Sequence, residues 1–417
     1  MTSLSLLLWI VSAIVLQVAI FLAIGFWHHW RNYQSLRGSL AADLAGPAAP
    51  PEPNDVGAAA WTGYRTFRVD RKVVEDAAQS VCSFYLVPED GEALPPFLPG
   101  QFLTFRLELP KVSGDSEQVV RCYSLSDAPR PEAYRVSIKR LPLGRSSNFF
   151  HDQVRVGSRL QVRAPAGHFY LDRSDSPVVL IGGGIGITPL LSMLNWCLAE
   201  QPGREIWLFY GLRHGCELVM GAALKELAAA HPNFHLHLCY SDPEPADQLP
   251  HESSHRGRID LSLLRLTLPL KPYHFYICGP ASLMESLVPA LEEWGVPDSR
   301  IHFEAFGPAS VKPRPAAAGL GAVPAPRRAV EAADIVVTFA RSGRQFAWRP
   351  GAGSLLEFAE TNGVAVDSGC RAGGCGTCQT TIRAGEVVYR QTPDYDPDPG
   401  SCLLCVCEPK TSVTLEV

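Results

Sequence analysis

The sequence lacks an extended block of basic residues. Its formal net charge is −5 over 417 residues, whereas nucleic-acid-binding domains usually present a clustered basic patch. This absence argues against a nucleic-acid partner. Internal repeats are also lacking, and the length is sufficient for two to four domains, each with its own hydrophobic core.

An even spread of cysteines, which a disulfide framework would show, is absent as well. Half of the 12 cysteines lie in the tail that begins at Cys370, where short spacings separate them. Such clustering is typical of a metal site in a reducing compartment. The sequence therefore predicts a metal centre near the carboxyl terminus.

Charged residues are missing from the stretch 4–27. As a helix it would be about 36 Å long, compared with about 30 Å of hydrocarbon in a bilayer. No basic segment precedes it and no small-residue cleavage site directly follows it, which favours a membrane anchor over a cleaved signal peptide. Because Arg31 and Arg37 follow the stretch, the positive-inside rule predicts a single-pass protein of the cell inner membrane with its catalytic domains in the cytoplasm.

Two segments rich in alanine and proline divide the rest of the chain, and their composition is typical of extended tethers. Between them, short alternating strands indicate an antiparallel β-barrel, and a βα alternation then indicates a doubly wound parallel sheet. The predicted order is a transmembrane helix (4–27), a linker (38–60), a β-barrel domain (61–173), an α/β domain (174–307), a linker (308–330) and a β-grasp-like α+β domain (331–417).

Within these domains the pattern predicts the individual elements. The predicted barrel strands are 64–70, 81–87, 101–109, 135–139 and 159–164. In the α/β domain the predicted strands are 178–181, 206–210 and 273–278, and the predicted helices are 188–200, 217–229 and 281–294. The carboxyl-terminal unit is predicted to have strands at 335–339 and 413–416 and a helix at 354–361.

The cysteine tail contains the most specific motif. Cys370, Cys375 and Cys378 stand in a glycine-rich loop with x4 and x2 spacings, and Cys405 follows after 26 intervening residues. This pattern fits a plant-type [2Fe–2S] site, which thiolates hold. The pairs Cys375–Cys378 and Cys402–Cys405 also satisfy a zinc-ribbon spacing. The x4 spacing and the glycines, which let the loop wrap closely, favour the iron–sulfur interpretation.

A glycine-rich turn, Gly182-Gly183-Gly184-Ile-Gly186-Ile-Thr188-Pro189, directly follows a predicted strand and opens a predicted helix. Glycines permit close approach of a pyrophosphate, and a helix start offers free N–H groups and the positive end of the helix dipole. Proline suits a first helical turn. The turn is also explained by a tight connection without ligand, so this motif alone leaves both interpretations open.

The neighbouring motifs resemble those of the ferredoxin–NADP reductase superfamily. Arg121-Cys-Tyr123-Ser124 lies before the glycine turn, and Cys278-Gly279-Pro280 lies after it. By this resemblance the Arg121 guanidinium binds the flavin pyrophosphate, the Tyr123 ring packs on the isoalloxazine, and the Ser124 hydroxyl lies near the flavin N5. These roles suit a guanidinium fork, an aromatic face and a hydroxyl donor.

Two further segments extend the resemblance. Gly144-Arg-Ser-Ser147-Asn148 is similar to the flavin-phosphate loop of the family and to the reductase part of flavohaemoglobins, which implies FAD, with FMN as the alternative. Phe303-Glu304-Ala-Phe306-Gly307 resembles the end of the reductase module. By resemblance, Ser124, Cys278 and Glu304 are the catalytic residues. The residues expected at the flavin or the nicotinamide are Arg121, Tyr123, Ser124, Ser147, Asn148, Gly182, Gly183, Gly184, Gly186, Thr188, Pro189, Arg213, Cys278, Gly279, Pro280 and Phe306.

Arg213 stands where an NADP enzyme would hold the 2′-phosphate, and no acidic residue at that strand end marks NAD, so NADH and NADPH are both open. The tail is similar to a plant-type ferredoxin, which implies Cys370, Cys375, Cys378 and Cys405 as cluster ligands. The domain order resembles that of phthalate dioxygenase reductase and phenylacetate-oxygenase reductases.

The resemblance implies an NAD(P)H-dependent oxidoreductase. Electrons are expected to pass from NAD(P)H through FAD to the [2Fe–2S] cluster and then to a protein acceptor, such as a membrane oxygenase, hydroxylase or desaturase. Two alternatives remain open. The protein could reduce quinone or another small acceptor, or it could be a membrane-tethered redox sensor.

Overall fold

The computed structural model describes Gln17 and residues 61–306 and 335–417, apart from residues 62, 111–113, 246, 248–253, 350, 370, 372, 374–375, 391–392, 394 and 396. Apart from Gln17, the predicted transmembrane helix lies outside the described residues, as do both predicted linkers. Within the part of the chain that is described, no helix has the length and hydropathy needed to cross a bilayer.

The first domain is built on six antiparallel strands that pair in the order β4-β3-β6-β1-β2-β5. The edge strands β4 and β5 meet at a single bridge between Leu125 and Val136. The domain is therefore a curled half-barrel rather than the predicted antiparallel β-barrel. Its strands are β1 (Arg65–Val74), β2 (Val81–Pro88), β3 (Phe102–Pro110), β4 (Ser116–Ser124), β5 (Tyr134–Lys139) and β6 (Arg159–Val162).

Aromatic side chains fill the concave side of this curled sheet. Helix α1 (Arg145–Asp152) inserts Phe150, which is fully buried. Its ring makes edge contacts with Phe84 on β2 and Phe105 on β3, at centroid distances of 5.2 and 5.6 Å. Such edge-to-face geometry is favoured between aromatic rings, and it fixes the position of α1 against the sheet.

The second domain is a six-stranded parallel sheet in the order β10-β9-β8-β7-β11-β12. Alternate residues of β7 contribute to two separate cores, with Leu180 on the side of α2 and α3 and Ile181 on the side of α4 and α5. Helices therefore cover both faces, as a doubly wound sheet requires. The elements are β7 (Val178–Gly183), α2 (Ile187–Glu200), β8 (Ile206–Leu212), α3 (Gly221–Ala230), β9 (Phe234–Tyr240), β10 (Ser254–Arg256), α4 (Leu261–Thr267), β11 (His274–Gly279), α5 (Ala281–Glu293) and β12 (Ile301–Ala305).

The predicted helix 217–229 is wrong at its start. A short 3₁₀ turn ends at Glu217, and α3 begins only at Gly221. Between them Met220 adopts a left-handed conformation with φ of 54°. The backbone N–H of Met220 donates to the carbonyl of Glu75 in the first domain at 2.9 Å. This tertiary contact draws the chain out of the helix that its local composition favours.

The third domain is a mixed sheet with one helix, as the α+β prediction requires. Its main sheet has the order β14-β13-β19-β15-β17, and β16 and β18 form a separate pair. Ser354 and Glu357 form a capping box at the start of α6. The elements are β13 (Val336–Phe339), β14 (Arg344–Ala347), α6 (Leu355–Thr361), β15 (Gln379–Ala384), β16 (Val387–Tyr389), β17 (Ser401–Leu403), β18 (Cys407–Pro409) and β19 (Val413–Leu415).

Candidate flavin, nicotinamide and iron–sulfur sites

The glycine-rich turn and the Cys-Gly-Pro segment touch each other at the carboxyl edge of the parallel sheet. Strands β7 and β11 are neighbours, with Cys278 opposite Gly182. A Cβ added to Gly186 would overlap the carbonyl group of Cys278, and one added to Gly183 would come within 2.9 Å of Cδ of Pro280. These glycines are needed for backbone packing, and the packing unites the two motifs into one surface.

Helix α2 begins on this surface without a capping side chain. Its N-cap is Gly186, and no side chain accepts a hydrogen bond from the first turn. The Thr188 hydroxyl donates to the carbonyl of Ile185 at 3.0 Å, so it serves the turn itself. Pro189, in the first turn, has no N–H to satisfy. The Ile187 N–H donates to the carbonyls of Gly184 and Ile185 in the preceding 3₁₀ turn, and the positive end of the helix dipole fits the pyrophosphate of a dinucleotide.

Replacing Gly186 by alanine is expected to lower the free energy of unfolding by about 1–3 kcal/mol, because the added methyl group must push against backbone atoms. Gly203 provides the matched control in the same domain, since a Cβ there meets nothing within 4 Å. Gly203→Ala is expected to be neutral or stabilising by up to about 1 kcal/mol. Urea unfolding of both variants measures the difference, and equal midpoints would contradict the packing argument.

Cys278 and Glu304 lie side by side at the same sheet edge, on adjacent strands β11 and β12. Cys278 is fully buried, and burial, with a smaller effect of Glu304, raises the pKa of its thiol well above the ordinary value. Burial also raises the pKa of Glu304 to about 7. The Glu304 Oε2 atom is buried without a hydrogen-bond partner in the described structure, which fits a polar ligand at this edge.

Phe306 completes this corner of the site. Its N–H donates to the carbonyl of Gly279 at 2.9 Å, and its side chain packs against the core beneath the glycine turn. The structure thus brings the predicted residues Cys278, Glu304 and Phe306 into one neighbourhood. Their contacts with a nicotinamide stay a prediction.

Arg213 lies apart from that corner, just beyond the end of β8, and its side chain is exposed. The next residue, His214, is held by a contact between its Nδ1 atom and the carbonyl of Asp242 at 2.7 Å. The arrangement leaves Arg213 accessible to a nucleotide.

The predicted flavin residues Arg121, Tyr123 and Ser124 occupy strand β4, which sequence reasoning does not identify as a strand. The Tyr123 ring makes edge contacts with Phe105 and Phe150 at 5.7 and 5.2 Å. Burial raises the pKa of Tyr123, so the phenol is neutral. Arg121 is exposed, and its guanidinium donates to the carbonyl of Val120 at 2.7 Å.

The start of α1 supplies a second part of the flavin site. The predicted phosphate ligand Ser147 uses its hydroxyl within the loop, accepting from the N–H of Leu141 and donating to the carbonyl of Gly144, both at 3.1 Å. Its neighbour Ser146 has a buried Oγ with no partner in the described structure. An orphaned hydroxyl at a helix start fits a phosphate oxygen, so Ser146 is a candidate phosphate ligand that the sequence prediction did not name.

An ion pair connects α1 to β4. Arg145 Nη1 lies 2.9 Å from Glu117 Oε2, which brings the helix start towards the strand of Arg121 and Tyr123. Asn148, also predicted to bind the flavin, is half-buried in the first turns of α1, where its N–H donates to Gly144. The ion pair and the contact between the Tyr123 and Phe150 rings thus bring the two separate motifs together.

Asp127 connects the segment that follows strand β4 to helix α2. It stands three residues after Ser124, and its carbonyl accepts from the Ser192 hydroxyl at 2.7 Å while its carboxylate accepts from Asn195 Nδ2 at 2.7 Å. Both donors belong to α2, which starts at the glycine turn. The two nucleotide sites are consequently held in a fixed relation.

The cysteine tail brings two of the four predicted cluster ligands together. Cys378 and Cys405 are both buried, and the N–H of Leu404 donates to the carbonyl of Cys378 at 3.2 Å. The other two, Cys370 and Cys375, lie outside the described residues. Among the residues that are described, no group of three side chains is placed to hold a metal ion.

Two other tail cysteines have a packing role. Cys402 and Cys407 are fully buried in the core of the third domain. Thiol donors at Cys378 and Cys405 fit an iron–sulfur cluster.

Fold and sites together define a three-domain redox protein, and family comparisons agree domain by domain. Residues 73–170 match the oxidoreductase FAD-binding domain, residues 180–288 the oxidoreductase NAD-binding domain, and residues 337–410 the 2Fe-2S iron–sulfur cluster binding domain.

Individual relatives show the same division. The chain is 38% identical to a flavohemoprotein of Halalkalibacterium halodurans over 256 residues. The matched region covers 60% of this chain and 61% of that protein. The FAD/NAD-binding domain of a nitric oxide dioxygenase from Vibrio cholerae is similar over its whole length and 59% of this chain, with 34% identity and a TM-score of 0.52. Phthalate dioxygenase reductase is similar over 85% of this chain and 98% of its own, with 27% identity and a TM-score of 0.51.

The chain belongs to the flavoprotein oxidoreductase family that shares this pair of FAD-binding and NAD-binding domains. Its third domain makes it an NAD(P)H-dependent oxidoreductase of the ferredoxin type, whose cofactors are FAD, a [2Fe–2S] cluster and NAD(P)H. The chain spans about 61% of the length of the flavohemoprotein that it matches.

Proposed function

We propose that this chain takes electrons in pairs from NAD(P)H and delivers them singly, through its [2Fe–2S] domain, to a protein acceptor. Bound FAD supplies the chemistry that converts a two-electron donor into a one-electron donor. The observation that carries the proposal is the pair of hydrogen bonds at Asp127. They hold strand β4, which carries the predicted flavin residues, and helix α2, which begins at the glycine-rich turn, in one rigid arrangement. The likeness to phthalate dioxygenase reductase supports it over all three domains.

In this proposal each part of the site has a positioning task. The start of α1, with Ser146, holds the flavin phosphates, and Tyr123 presents its ring to the isoalloxazine. The turn before α2 holds the pyrophosphate of NAD(P)H, and Glu304 faces the nicotinamide beside Cys278. Holding the two reacting rings in contact is the main contribution that such a protein makes to hydride transfer.

The acceptor that we propose is a membrane oxygenase, hydroxylase or desaturase. The uncharged stretch 4–27 supports this choice, because an anchor would keep the reductase at the cytoplasmic face of the inner membrane, where such a partner lies. A soluble acceptor would need no such stretch.

Reductase activity is tested by mixing the holoprotein with NADH or NADPH and a one-electron acceptor such as cytochrome c. We expect multiple turnovers, with flavin bleaching preceding cluster reduction in stopped-flow spectra. A redox sensor would give a single round of reduction and then stop. Absence of turnover with both nucleotides would overturn the proposed function.

Removing residues 1–37 is expected to release the protein from membranes and leave the cytochrome c reductase rate within about twofold of the full-length value, since the described domains carry their own cores. Membrane fractionation and steady-state kinetics measure the two effects. A truncated protein that stays with the membrane, or that loses its activity, would show that the stretch is not a simple anchor.

A further inference from the structure

Two arginines and two tyrosines form a row of alternating cation–π contacts that runs from the flavin domain to the cysteine loop. The Arg106 guanidinium lies 3.7 Å from the centroid of Tyr64, and the Arg163 guanidinium lies 5.0 Å from the same ring. Arg163 also lies 5.4 Å from the ring of Tyr395 in the third domain. These four residues are called the Arg–Tyr row below.

The flavin-domain end of the row is anchored on strands next to the flavin strand. Arg106 belongs to β3 and pairs with Val120 of β4, the residue to whose carbonyl Arg121 donates. Arg163 directly follows β6, and its N–H donates to the carbonyl of Thr104 on β3 at 2.9 Å. The cation that reaches the third domain is therefore fixed to the sheet that carries Arg121 and Tyr123.

The other end of the row is fixed to the cysteine loop. The N–H of Tyr395 donates to the carbonyl of Gly373 at 3.0 Å. Its ring lies so close to Gly376 that an added Cβ would come within 2.6 Å of the ring Cζ atom. Because Gly376 stands two residues before the predicted ligand Cys378, displacing Tyr395 displaces the backbone that surrounds the cluster.

We propose that Arg163 and Tyr395 are positioning residues that dock the third domain on the flavin domain for electron transfer. Hydride transfer from NAD(P)H supplies two electrons and one proton in total. The electrons cross this contact in two successive single transfers to the cluster and on to two equivalents of a one-electron protein acceptor, and the proton is released to solvent. The inference rests on the proposed function, which it deepens by naming the contact.

A cation–π contact suits this task because it is directional but weak enough to be reversible. Undocking would expose the cysteine loop to the acceptor after each transfer. The row also aligns the first and third domains, because Arg163 is held between the rings of Tyr64 and Tyr395.

Single-turnover stopped-flow measurements on the holoprotein test the docking contact. In Arg163→Gln and Tyr395→Leu we expect flavin reduction by NADH at the wild-type rate and cluster reduction slower by about tenfold, because the docked population falls when the contact is lost. Arg163→Lys and Tyr395→Phe keep a cation and a ring, and they are expected to recover most of the rate. The double variant should be no slower than either single variant, since both remove one contact.

Small-angle X-ray scattering supplies a readout that does not depend on turnover. Arg163→Gln is expected to increase the radius of gyration, because the third domain spends less time docked. Arg71→Gln is the matched control. It removes a cation–π contact of 3.7 Å with Tyr85 inside the flavin domain, and it is expected to change neither the scattering nor the rate of cluster reduction.

The outcomes separate this inference from the proposed function. A wild-type cluster that neither NADH nor NADPH can reduce would overturn the proposed function. A wild-type cluster that is reduced, at a rate that Arg163→Gln leaves unchanged, would overturn the docking contact alone. If Tyr395→Leu loses the cluster, Arg163→Gln decides, because it alters only the flavin side of the contact.

Discussion

Replacing Cys405 by serine is expected to remove the visible absorbance of the [2Fe–2S] cluster while NAD(P)H still reduces the flavin. Loss of an outer-shell partner alone weakens metal binding by about 10–100-fold, so loss of a thiolate ligand should lower cytochrome c reduction by at least roughly 100-fold. The flavin and nicotinamide sites lie in other domains, each with its own core. The two optical signals in one stopped-flow trace therefore measure both effects.

Cys407→Ala is the matched control, because Cys407 is a buried cysteine only two residues away. Its side chain is fully buried in the core of the third domain, so the variant is expected to keep the cluster and to lose about 1–2 kcal/mol of stability. A cluster that survives in Cys405→Ser but disappears in Cys407→Ala would show that Cys407, and not Cys405, is the fourth ligand.

The parts of the site that the sequence predicts are those whose residue type is dictated by local geometry. Gly183 and Gly186 have no room for a Cβ against Pro280 and Cys278, so glycine is required whether or not a ligand is bound. The spacing of the tail cysteines is likewise set by the chemistry of a four-thiolate cluster. The βα alternation of residues 178–294 predicts the parallel sheet because two apolar faces leave a clear pattern.

The parts that the sequence does not predict depend on packing between distant segments. Strand β4 carries polar residues at most positions, and its extended form comes from nine paired residues with β3. Ser146 and Ser147 are adjacent and alike, and only the fit of α1 against the sheet decides which hydroxyl is left without a partner. The Arg–Tyr row joins residues 64 and 395, which no periodicity relates.

Among the described groups at the corner formed by Cys278, Glu304 and Phe306, Glu304 is the one whose pKa lies near neutrality. Burial raises its pKa to about 7, whereas burial raises the pKa of the Cys278 thiol well above its ordinary value and keeps it protonated. On the same strand, burial lowers the pKa of His302 to about 4, so that imidazole is neutral throughout the physiological range. The charge at this corner is therefore set by Glu304 as pH crosses 7.

The sign of the pH effect on stability follows from this shift. A carboxyl whose pKa is higher in the folded than in the unfolded protein stabilises the fold in its protonated form, and that contribution is lost as pH rises through the folded value. Glu304→Gln removes the dependence. We expect the free energy of unfolding of the variant, relative to that of the wild type, to rise by about 2–3 kcal/mol between pH 5 and pH 8. Urea unfolding of the second domain, followed by fluorescence, measures this change.

The same substitution should have the opposite effect on catalysis. The nicotinamide ring becomes positively charged when its hydride leaves, so a carboxylate facing it stabilises the product side of the step. In the wild type the limiting rate of flavin reduction should rise as pH passes 7. In Glu304→Gln it should be flat and, at pH 8, lower by about 10–100-fold.

Glu292→Gln separates these effects from a general loss of charge, because Glu292 is an exposed carboxylate on α5 of the same domain and should alter neither profile. A Glu304→Gln protein that is stabilised at pH 8 but reduces its flavin at the wild-type rate would show that the carboxylate is buried without facing the nicotinamide. A protein that is both more stable and slower would mean that the fold accepts an unfavourable buried charge because hydride transfer requires it.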